Sequence, residues 1–176
     1  MNLPVSGVPR AMIVGLCLAI FGILFGFFLG GAFGAAEDSL KGYLEAQGQA
    51  ALTTAYGGDE AAMEAVVSKS WSYFKRAHMH GGAIGTSSVA LILMLIMLCR
   101  PGKLASTAAI ASGLGAVLYP VFWLWAGAIA PGMGGTGAAK EALNFIAVPG
   151  AGACIVGAVL SMVCLVKDRL LSSPTA

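Results

Sequence analysis

Residues 11–36 read AMIVGLCLAIFGILFGFFLGGAFGAA and contain no charged side chain. At about 1.5 Å per residue, a helix over this run is longer than the roughly 30 Å hydrocarbon core of a bilayer. The apolar region of a signal peptide is only about 7–15 residues long, so the run predicts a retained membrane span. Three more such runs follow at 81–99, 104–130 and 142–166. The second and third are separated by Arg100-Pro101-Gly102-Lys103, two helix breakers between two cations. The fourth stops at Lys167-Asp168-Arg169, and Ser172-Ser173-Pro174 reads as a frayed tail.

Composition agrees. Of 176 residues, 58% are hydrophobic and 10% charged, whereas a soluble domain carries about 25% charged residues. The expected fold class is therefore all-α: a four-helix transmembrane bundle forming a single membrane domain, with lipid as its first partner. A net charge of +2 argues against nucleic acid as another.

Lys and Arg in short flanking segments are retained on the cytoplasmic side of a membrane, and acids count for little. With both termini inside, Arg10, Arg100, Lys103, Lys167 and Arg169 face the cytoplasm. Lys41, Lys69, Lys75, Arg76 and Lys140 then lie outside with seven of the eight acids. The counts are equal. The inner cations lie in short segments, where the rule is strong, and this favours a bacterial-type inner membrane protein with cytoplasmic termini. All four cysteines, Cys17, Cys99, Cys154 and Cys164, fall within spans without CxxC spacing, so they read as small packing residues.

Residues 37–80 are too polar for lipid and predict an outer cap of two short amphipathic helices. Leu40, Tyr43, Leu44, Ala51 and Leu52 make a broken stripe that Tyr56-Gly57-Gly58 ends. Asp59-Glu60 opens the second helix, where acids suit the positive end of the dipole. Its face of Ala62, Val66, Val67, Trp71 and Phe74 is expected to pack on the outer ends of the spans or lie in the interface, with Trp71 and Tyr73 at headgroup depth. The glycine-rich connection 131–137 lacks phosphate-loop spacing and reads as an exterior turn, with Thr136 a candidate cap for the fourth helix.

Three patterns bear on function. Gly22, Gly26, Gly30 and Gly34 line one face of the first span and predict close helix packing, against another span of this chain, a second protomer or another membrane subunit. Phe21, Phe25, Phe27, Phe28 and Phe33 cover its other faces and suit lipid or an aromatic neighbour. Next, Arg76-Ala77-His78-Met79-His80-Gly81-Gly82 holds both histidines at the expected outer mouth of the second span. Imidazole is the commonest metal ligand and Met is soft, so His78, Met79 and His80 make a candidate copper or haem site. Positions two apart on a helix lie about 200° apart, so the histidines share an ion only if the segment is extended, and the double glycine permits either form. Third, Tyr119-Pro120-Val121-Phe122-Trp123-Leu124-Trp125 places aromatic rings beside a helix-kinking proline. Pro149 does the same in the fourth span. Such rings act as interfacial anchors or wall a quinone or haem pocket.

The stretch Ala77-His78-Met79-His80-Gly81 resembles the one that opens histidine-bearing spans in haem-copper-oxidase-like and related small bacterial membrane proteins. The resemblance covers about ten residues. It implies cofactor binding through His78 and His80, with Met133 or a second protomer completing a haem site, because no span supplies another histidine. No acid lies inside a predicted span, which argues against a proton pump, an ion-coupled transporter or a membrane protease. The expected role is a non-enzymatic accessory subunit holding or shielding haem or copper. The rivals are a structural subunit packing through the glycine groove, and a small channel or transporter.

Overall fold

The computed structural model describes residues 7–171; the predicted tail at Ser172-Ser173-Pro174 lies outside them. The order is α1 (Arg10–Ala50), α2 (Leu52–Ala55), α3 (Glu60–Leu98), α4 (Lys103–Ile129), α5 (Thr136–Ala142) and α6 (Asn144–Leu165), the last continuing into a π-helical end, Val166–Leu171. No strand occurs among the described residues. Helices α1, α3, α4 and α6 are long and apolar enough to cross a membrane.

The outer cap differs from expectation. Its two helices are not separate elements but the continuations of α1 and α3. The 41 residues of α1 extend about 60 Å, twice a hydrocarbon core. At Ala36 (φ −139°, ψ 29°) α1 bends, at the border between its apolar run and its polar extension. The 39 residues of α3 pass without a break through Gly81-Gly82. Neighbouring helices hold that segment, and this overrides the weak helix propensity of glycine. The turn between the extensions forms as read, with Gly57 (φ 61°) and Gly58 (φ 86°) in the left-handed region. Asp59 caps α3 through its carboxylate, which accepts the Ala62 N–H at 2.9 Å.

Packing is dominated by small residues. Helices α1, α3 and α4 each pack against both of the others, whereas α6 lies along α4, touches α3 only marginally and has no significant contact with α1. The four long helices are thus a closed trio with one helix laid against it. A Cβ on Gly22 would stand 2.6 Å from the Ala116 carbonyl oxygen of α4, and one on Gly26 would stand 2.7 Å from the Gly82 nitrogen of α3. Gly115 meets Cys154 of α6 as closely, at 2.6 Å from Sγ. The predicted groove therefore packs inside this chain, Gly22 against α4 and Gly26 and Gly30 against α3. Gly34 departs from the prediction, with nothing within 4 Å of its Cβ position. Phe21, Phe27 and Phe28 are exposed as expected, while Phe33 turns to α3 and meets Trp71 edge-on at 5.2 Å.

The connection 131–135 is a turn, and Gly135, not Thr136, precedes α5, which Leu143 separates from α6. No side chain caps either helix, so Thr136 does not cap the fourth span. The Tyr56 hydroxyl donates to the Pro131 carbonyl at 2.7 Å, tying the α2–α3 turn to the connection 131–135. All four cysteines are free thiols.

Candidate functional site

Because α3 is helical through the histidine segment, its side chains radiate. His78 points to α1. Its Nδ1 hydrogen-bonds the Gly26 carbonyl oxygen at 2.8 Å, and a Cβ on Gly30 would stand 2.8 Å from its Cε1. Gly30 is thus the recess that admits the imidazole. Phe33 closes the next turn, edge-on to the ring at 6.2 Å.

His80 points the other way, to α4, with its ring centroid 5.1 Å from that of Tyr119 and 6.2 Å from that of Trp123. Met79 lies between them and is exposed. The three predicted ligands therefore face three directions, and His78, Met79 and His80 do not form a common ion site, as 100° per residue dictates. Among the described residues no group of three or more His, Cys, Asp and Glu side chains is arranged to hold a metal. Met133 is not brought to His78 either. It sits in the turn whose glycines meet Gln47 and Ala55, and Gln47 is about 25 Å along α1 from Gly30.

Sequence reading missed the neighbours of His80. Arg76 lies over both Tyr73 (5.4 Å) and Trp123 (4.9 Å), and Tyr73 packs edge-on to Trp123 at 4.7 Å. Tyr73 is buried, so it faces the protein and not the headgroups. A guanidinium between two aromatic faces is held by the ring quadrupoles. The spacing was legible, since residues 73, 76 and 80 share one helix face. Of the second aromatic cluster, Tyr119, Phe122 and Trp123 join this group, while Trp125 turns outward beside Phe145.

A cavity of 570 Å³ lies elsewhere, between the polar extensions of α1 and α3. Leu44, Met63, Val67 and Trp71 give it apolar walls, and Lys41, Glu45 and Glu64 stand among its polar lining. Leu44 and Met63 are buried because Gly48 lets the helices close, its Cβ position being 2.6 Å from the Met63 sulfur. Lys41 pairs with Glu37 at 2.6 Å and reaches over Trp71 at 5.4 Å. The hydrogen bond to Glu37 raises the Lys41 pKa. A groove of this volume, apolar below and charged at the edge, matches the general character of binding sites. The Glu37–Lys41 spacing favours an ion pair on a helix but carries no sign of the groove.

No protein family, curated protein or solved structure matches the chain.

Proposed function

We propose that the protein is an accessory subunit of an inner-membrane assembly, with both termini cytoplasmic, that holds a neighbouring protein through the groove between the α1 and α3 extensions. The observation that carries this reading is the groove itself. Two helices run well beyond the length a bilayer requires and enclose 570 Å³ between them. The apolar walls supply area to bury, and Glu45 and Glu64 favour a basic amphipathic segment in the partner.

A photo-crosslinking side chain at Ser68, which lines the groove, tests the reading in native membranes. It should give one adduct of defined mass that is lost in Glu45→Lys/Glu64→Lys, while the same probe at lipid-suited Phe27 should not give it. Identical products from both positions, or an adduct that survives charge reversal, would refute the proposal.

A further inference from the structure

We infer that a second cavity, at the opposite end of the molecule, binds the phosphate of an anionic phospholipid headgroup. It measures 240 Å³ and lies where the α3–α4 turn meets the end of α6. Arg100, Lys103 and Lys167 line it with a single acid, Asp168. The cations come from two separate stretches of chain, and the fold brings them together. Asp168 accepts the backbone N–H of Arg100 at 2.7 Å. Three cations against one carboxylate give the lining of this basin a net positive charge. The amino end of α4, which no side chain caps, adds to the same field.

The position of the basin selects a lipid over a free ion. The apolar stretch of α3 ends at Leu98, that of α4 begins after Lys103 and that of α6 ends at Leu165. On the membrane reading of these helices, the basin sits at headgroup height. Met97 and Leu98 are exposed just below it, where acyl chains of a lipid held by its phosphate would run. Basic pockets between spans on the cytoplasmic side recognise anionic headgroups in this way. The inference is independent of the outer groove.

The test uses the full chain in nanodiscs of phosphatidylcholine, with or without phosphatidylglycerol, followed by native mass spectrometry and thermal melting. Wild type should retain phosphatidylglycerol in preference to phosphatidylcholine and melt higher in its presence. Arg100→Gln/Lys103→Gln should weaken retention about thirtyfold, roughly fivefold for each charge. Arg10→Gln removes a cation from the same end without lining the basin, and should leave retention unchanged. Equal retention of both lipids by wild type, or undiminished retention in the double variant, would overturn the inference. So would an equal rise in melting produced by inorganic phosphate in phosphatidylcholine discs, which would assign the basin to the free ion.

Discussion

The imidazole of His78 occupies the space that the absent side chain of Gly30 leaves on the facing helix, and its Nδ1 is fixed 2.8 Å from the carbonyl oxygen of Gly26. One histidine thereby uses two glycines of the α1 stripe, and its ring fixes the register of α1 against α3. Replacing His78 with Ala empties the recess and leaves the Gly26 carbonyl without this partner. Loss of such a part-buried hydrogen bond costs about 0.5–1.5 kcal/mol, and cavity formation adds to it. His78→Ala should therefore lower the melting temperature more than Met79→Ala, whose side chain is exposed. Absorption spectra and metal analysis of both variants and wild type, isolated from native membranes, should show no difference in bound haem or copper. A chromophore lost in His78→Ala would restore the cofactor reading.

The glycine stripe gives a graded expectation along one helix. Gly26→Leu would drive a side chain into the α3 backbone and should destabilise by about 1–3 kcal/mol or more. Gly34→Leu, at a position with nothing within 4 Å, should have little effect. Thermal denaturation in detergent compares them, and equal losses would show that the register is wrong.

The proposed topology rests on the short cationic segments at the end of the molecule opposite Gly57-Gly58. A cysteine introduced at Gly58 should react in intact cells with a reagent that cannot cross the membrane, and one at Gly102 should not. The reverse pattern would invert the protein.

Tyr56 joins the α2–α3 turn to the connection 131–135 through its hydroxyl. Tyr56→Phe should cost about 0.5–1.5 kcal/mol and loosen the connection 131–135, which hydrogen exchange at Met133 and Gly134 would detect. Burial pushes the Tyr56 pKa up, so the phenol loses its proton at a higher pH in the folded protein than in the unfolded chain. Its contribution is fully present below the unfolded value of about 10 and declines as pH rises through the higher folded one. The stability gap between wild type and Tyr56→Phe should therefore hold up to about pH 10 and narrow above it.

The four long helices were legible because hydropathy is a local property, and 26 uncharged residues at 11–36 admit few alternatives. The breaks at Gly57-Gly58 and Pro101-Gly102 were legible for the same reason. The continuity of α3 was not. Gly81-Gly82 weakens an isolated helix, but here Gly81 is a contact point whose Cβ position lies 2.9 Å from the Gly26 Cα, and only the neighbour explains its choice. The opposition of His78 and His80 followed from helical geometry once the helix was known, whereas the Gly26 and Gly30 recess for His78 depends on inter-helix register. The outer groove was hidden because Lys41, Glu45 and Glu64 read singly as ordinary surface charges. Charge and spacing alone do not show that two helices converge behind them.

The unbroken course of α3 has a mechanical consequence. From Glu60 to Leu98 it runs about 60 Å. One end forms a wall of the groove, and the other ends at Leu98, whose carbonyl accepts the Arg169 side chain beside the basic basin. Between them it packs against both α1 and α4. The groove and the basin are therefore joined by one uninterrupted helix, and a partner that shifts α3 at the groove would pull on the ends of α4 and α6 at the basin.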